Sequence, residues 1–138
     1  MNLRSFGRFA LGGMALILSA CGSDAVTSET PSESLEVTAR DFSFEPNSWT
    51  VLADTEFDVT MINEGFNLHE WTVLPVGERI TTEAEFDIDD IALNLDDVGA
   101  GESVTRTFML DAPGTYQVIC KINGHFDAGM EGELTVVE

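Results

Sequence analysis

Residues 114–136 read GTYQVICKINGHFDAGMEGELTV, and the pattern of this stretch decides the fold. Tyr116, Val118 and Cys120 alternate as one face of a strand, and Leu134 and Val136 alternate in the same way at its far end. Residues 121–130 therefore connect two strands. Gly124 and Gly129 allow that connection to fold tightly, since they carry no Cβ. The loop holds His125 and Met130 close to Cys120, at two successive spacings of five residues. His125 is one of only two histidines in the chain.

Working outward, the same period of two recurs. SLEVTAR alternates Leu35, Val37 and Ala39, and TEFDVTMIN sets Phe57, Val59 and Met61 against Asp58 and Thr60. LHEWTVL puts His69, Trp71 and Val73 on one face, and SVTRTFML is a further strand. FSFEPNSWTVLA bends at Pro46 and Asn47, and Pro113 and Gly114 occupy turn-favouring positions. Short strands separated by turns predict an all-β sandwich of about seven or eight strands. The exception is residues 78–102, which carry seven carboxylates between Glu83 and Asp97. This segment is expected to be a solvated acidic flap, with a loop, a short helix or an added edge strand all open. Asp87, Asp89 and Asp90 do not make an EF-hand, because the glycine and glutamate that its loop requires are missing.

The amino-terminal end has a different character. Arg4 and Arg8 precede an apolar run, Phe9–Ala20, of signal-peptide length. LSAC, Leu18–Cys21, resembles a bacterial lipobox, so residues 1–20 are expected to be a lipoprotein signal peptide and Cys21 the lipidated residue. GSDAVTSETPSES, Gly22–Ser34, is small, polar and acidic, and reads as a disordered linker. The folded domain is placed at 35–138. These readings predict an extracytoplasmic protein held to a membrane by lipid, in the periplasm or at the cell surface. The net charge of −19 excludes nucleic acid as a natural partner. Without Arg4 and Arg8, 4 basic residues face 25 acidic ones, a net charge near −21. Such a surface either steers a basic partner or reflects a saline habitat.

With Cys21 assigned to lipid, Cys120 is left alone. An exported protein normally pairs its cysteines, so an unpaired thiol needs protection. Taken singly, the residues have ordinary readings: a core cysteine, a surface histidine, a methionine filling a gap. Taken together, His69, Cys120, His125 and Met130 supply two imidazoles, a thiolate and a thioether. That set suits a trigonal copper site with a weak axial thioether. A Cys/His nucleophile needs an exposed thiol of lowered pKa and an orienting partner, which the sequence does not offer. Multicopper oxidases and copper nitrite reductases need more histidines, and the dinuclear oxidase centre needs a second loop cysteine.

The stretch 114–136 resembles the carboxy-terminal copper loop of the cupredoxins, the small type 1 blue copper proteins such as plastocyanin, azurin, halocyanin and auracyanin. VTARDFSFEPNSWTV resembles their opening strands, and NLHEWTVL their first-histidine strand. The likeness covers 35–138, with 78–101 variable. It implies a Greek-key β-sandwich carrying one type 1 copper on His69, Cys120, His125 and Met130, with the Leu68 carbonyl as a distant fifth contact. It further implies an electron carrier, not an enzyme, monomeric, exchanging electrons with a c-type cytochrome or a membrane oxidoreductase. His125 would be the electron gate, inside an apolar patch of Phe66, Leu68, Ile122, Phe126 and Ala128. Ordinary core packing is the competing reading of those five side chains. Many family members carry Asn after the first histidine; this chain has Glu70, which alternation points away from His69. A copper-delivery protein with the same ligands is the alternative function.

Overall fold

The structure, a computed structural model, describes residues 30–138. The signal peptide, Cys21 and the linker as far as residue 29 lie outside the described residues. Nine strands are found among the described residues: β1 (Ser34–Arg40), β2 (Ser43–Glu45), β3 (Ser48–Leu52), β4 (Phe57–Asn63), β5 (His69–Val73), β6 (Leu93–Val98), β7 (Ser103–Phe108), β8 (Gly114–Ile119) and β9 (Glu131–Val137). They form two sheets, ordered β2-β1-β4-β7 and β3-β9-β8-β5-β6. Parallel pairs β1–β4 and β3–β9 carry the chain across between antiparallel neighbours. The architecture is the expected all-β sandwich.

Alternation drives the layers together. Val37, Val59, Met61, Trp71, Val118 and Leu134 are buried between the sheets. Trp71 lies at the centre, edge-on to Trp49 at 5.7 Å and stacked on Phe108 at 6.2 Å. Aromatic pairs in these geometries add to the area they remove from water. Tyr116 anchors the turn before β8 by donating its hydroxyl to the Ala112 carbonyl at 2.6 Å.

Three features depart from the sequence expectation. The strand count is nine, one above the expected range. The stretch that bends at Pro46 forms β2 and then, as expected, a second strand, β3. Of the alternatives left open for the acidic segment, the edge strand, β6, is formed beside a short 3-10 turn. Ordered chain also begins earlier than residue 35. The Ser32 amide donates to the Thr50 carbonyl at 2.9 Å, and the Glu33 carbonyl accepts from Asp58 at 2.9 Å. Backbone pairing is indifferent to the polar side chains that suggested a linker.

The third departure is the acidic flap. Most of its carboxylates face water, but Ile80 and Phe86 pack on Leu74, Ile119 and Phe126, on the outer face of the second sheet. Strand β5 itself is buried along its whole length. Gln117, buried in β8, accepts from the Ile80 amide at 2.8 Å and donates to the Ile80 carbonyl at 3.1 Å. A 3-10 turn, Glu83–Glu85, then ties the flap to the ligand loop, its Glu83 amide donating to Asp127 at 3.0 Å. Gln117→Ala leaves both polar groups of Ile80 without their buried partner, and should cost about 1–3 kcal/mol. Urea unfolding measures that loss, and faster protease cleavage within 78–92 would show that the flap is the part released.

Candidate metal centre

Antiparallel pairing of Thr72 with Ile119 and Val73 with Val118 sets the start of β5 beside the end of β8. His69 opens β5, and Cys120 directly follows β8. The loop then turns back on itself. The His125 amide donates to the Ile122 carbonyl, Met130 to the His125 carbonyl at 3.1 Å, and Cys120 to the Met130 carbonyl at 3.2 Å. Gly124 and Gly129 take φ of +85° and +103° within this turn, a region other residues rarely occupy. The two strands and one loop thus bring together all four residues singled out by the sequence.

The geometry is that of a metal site. Cys120 Sγ lies 3.4 Å from His125 Nδ1 and 4.0 Å from His69 Nδ1. The three donor atoms fall within 4.8 Å of one another. An ion bound at about 2.0 Å to nitrogen and 2.3 Å to sulfur spreads such donors roughly 3.5–3.7 Å apart. A small closure suffices. His69, Cys120 and Met130 are fully buried, and His125 is 7% exposed. Thiolate, imidazole and thioether form a soft set that suits copper. Burial pushes the Cys120 thiol up, whereas a cysteine nucleophile requires the opposite shift. Burial and the nearby His69 ring hold the His125 imidazole below its usual range, which keeps a nitrogen lone pair available.

Side chains behind the ligands fix them. The Glu70 amide donates to Cys120 Sγ at 3.4 Å. His69 and Glu70 are both buried, as β5 is along its whole length; the irregularity in its pairing lies on β6, where Leu95 and Val98, three residues apart, stand opposite Trp71 and His69. The Glu70 carboxylate ion-pairs with Lys121, which also meets Asp96 at 3.0 Å. Burial lifts the Glu70 carboxyl, with Lys121 pulling the other way. The contact to sulfur is therefore made by backbone, and the identity of residue 70 serves the pair with Lys121.

On the other side, Asp41 Oδ1 lies 2.8 Å from His69 Nε2. The carboxylate accepts from the Phe66 amide at 2.9 Å and the Asn67 amide at 3.3 Å, and these contacts, the Phe66 bond foremost, bring its pKa down to about 2. Buried Asn63 shapes the same loop, donating to the Asn67 and Val98 carbonyls at 2.8 and 2.7 Å. Sequence reading missed Asp41, Asn63 and Lys121. Asp41 stands 28 residues before His69, and only the turn after β1 carries it there.

The expected apolar patch is revised. Phe66 is 94% exposed, and Leu68 and Ala128 are exposed as well, but Ile122 leans on the core and Phe126 is buried under the flap. Phe42 joins instead, its ring edge-on to His125 at 4.8 Å.

An all-β sandwich with two imidazoles, a thiol and a thioether converging at one end has the arrangement of a type 1 copper protein. A model of the cupredoxin-like domain matches residues 8–136, and the chain belongs to that family. Auracyanin-B of Chloroflexus aurantiacus is 33% identical over 136 residues, covering 85% of this chain and 57% of the relative. The chain thus spans less than two thirds of that relative's length. Dithionite-reduced auracyanin from the photosynthetic bacterium Roseiflexus castenholzii superposes with a TM-score of 0.70 at 25% identity, over 79% of this chain and 100% of that one. Auracyanin B gives 0.65 at 30% identity, over 80% and 92%.

Breaking the Glu70–Lys121 pair tests its role. Glu70→Ala leaves the largely buried Lys121 ammonium with exposed Asp96 as its remaining ion-pair partner and should destabilise the fold by about 1–3 kcal/mol, with the double variant Glu70→Ala/Lys121→Met recovering most of the loss. Denaturant titration of the four proteins closes the cycle. Copper binding should survive in each of them, because the bond to Cys120 Sγ comes from the backbone.

Proposed function

We propose that this protein is a type 1 blue copper electron carrier, with one copper held by His69, Cys120, His125 and Met130. The observation that carries the reading is the buried convergence of Cys120 Sγ with the two Nδ1 atoms, within 4.8 Å. Bound copper supplies a one-electron couple, copper(II) to copper(I). The chain's part is to keep its donors still. His69 is held from behind by Asp41, Cys120 by the Glu70 amide, and Met130 by two backbone bonds. Donors that need not move make little reorganisation necessary on electron transfer. A delivery protein calls for an open site, and the fully buried His69, Cys120 and Met130 argue against that alternative.

Electrons enter and leave by the His125 edge, the least buried of the ligands. Phe42, Phe66 and Leu68 surround this end with exposed apolar surface, suited to brief docking. The partners are redox proteins such as a c-type cytochrome or a membrane oxidoreductase, steered by the carboxylates of a −19 chain. The LSAC motif supports a lipid on Cys21 and an extracytoplasmic location. The protein acts as a monomeric carrier and not as an enzyme.

A visible spectrum of residues 22–138 with copper(II) tests the function. An intense blue or green band should bleach with reductant and return on reoxidation, while a colourless protein that takes up only copper(I) would favour delivery. Cys120→Ser should remove the band and leave the fold intact by circular dichroism. Met130→Leu should keep a blue site and raise its reduction potential; loss of all copper would show that the thioether is not a weak axial donor.

A further inference from the structure

We infer that Asp41 is a positioning residue of the metal centre, whose carboxylate behind His69 fixes that ring's tautomer and biases the site toward copper(II). The inference rests on the copper reading above for its second half. Its first half stands on the geometry alone.

His69 has two ring nitrogens. Nδ1 faces Cys120 Sγ, and Nε2 lies 2.8 Å from Asp41 Oδ1. A carboxylate can only accept, so the proton must sit on Nε2 and the lone pair on Nδ1. The tautomer required for ligation is thus set before any metal arrives. Asp41 is itself held in place. Its two oxygens take the Phe66 and Asn67 amides, from the loop that leads into His69. Gly65 lets the pair close: a Cβ there would stand 2.5 Å from Asp41 Oδ1 and 2.8 Å from His69 Nε2. One turn residue, one loop and one glycine therefore serve a single contact.

The charge has a consequence of its own. Among the described residues, Asp41 makes its ion-pair contact with His69 alone, at 2.8 Å. Its neighbour Arg40 is directed elsewhere, to Glu45 at 3.2 Å and Glu64 at 2.6 Å. The negative charge on Asp41 is therefore passed through the imidazole to the ligand nitrogen. A hydrogen-bonded carboxylate raises the basicity of a ligating histidine. More basic nitrogen favours the doubly charged ion over the singly charged one, which lowers the reduction potential. Such outer partners are worth roughly 10–100-fold in metal affinity.

The test compares the full chain with its Asp41→Asn, Asp41→Ala and Gly65→Ala variants. Asp41→Asn keeps an oxygen that can accept from Nε2 and removes the charge. The preference for copper(II) over copper(I) should fall about tenfold, a rise of roughly 59 mV for a one-electron couple. The visible band should persist. Asp41→Ala and Gly65→Ala should lose the bond as well and weaken copper(II) binding further, measured by chelator competition. An unchanged potential in Asp41→Asn with an intact band would reduce the contact to packing and overturn the electronic half. Nitrogen-15 spectra of the metal-free protein decide the other half, whatever the copper results. A proton on His69 Nε2 in the native chain that becomes shared with Nδ1 in Asp41→Ala is expected. A proton on Nδ1 in the native chain would overturn the positioning role. If the native chain gave no type 1 band, the copper reading would fail while this tautomer result still stood or fell by itself.

Discussion

Two residue pairs, Thr72 with Ile119 and Val73 with Val118, join β5 to β8, and the metal centre depends on that short ladder. It sets the register between a strand that begins with a ligand and a strand that ends at one. A slip of one residue would turn His69 away from Cys120 and send Trp71 out of the core. The amide of Glu70 reaches the sulfur, and its carboxylate reaches Lys121, because of the same alignment. Gln117, next to this ladder in β8, pins the flap that buries the other side of the sheet. Site and cover are consequences of one pairing.

The burial of the site follows from what surrounds it. Cys120 and Met130 belong to the same apolar cluster as Trp71 and Leu134. A packed interior resists displacement of its side chains. The centre is therefore stiff because it is the end of the core, not a loop laid over it. The flap adds to this through Phe126, a neighbour of His125 anchored beneath it with Ile119 and Leu74. What looks in sequence like a solvated acidic excursion is a second, smaller apolar layer with its carboxylates turned outward.

The period of two in TEFDVTMIN and in YQVIC was enough to place β4 and β8 and the faces they bury. The Cys120–His125–Met130 spacing was enough to mark the ligand loop. Those signals are local, and local patterns survive in a string of letters. Asp41 was not legible, since its partner stands far along the chain and an acidic residue in a turn has an ordinary explanation. Glu70 was read by alternation as pointing away from His69, and its carboxylate does go elsewhere, to Lys121; that pairing was not legible, because the two residues stand far apart in the chain. Phe126 was drawn into a surface patch by its position in the loop. The apolar residues Ile80 and Phe86, scattered among carboxylates, gave no periodic sign that they would cover it.

Strand β1 runs from Ser34, beside Asp58 at the start of β4, to Arg40, next to Asp41 behind the ligand His69. Strand β9 runs the other way, leaving the ligand loop at Glu131 and ending at Val137, whose carbonyl accepts from Ala53. Both ends of the described chain thus emerge from the pole opposite the ligands, a strand length of roughly 20 Å away. Whatever holds the molecule by either end, a membrane, a neighbouring domain or an electrode, holds it upside down relative to its working face. The His125 edge is left pointing outward, and anchoring and electron exchange do not compete for the same surface.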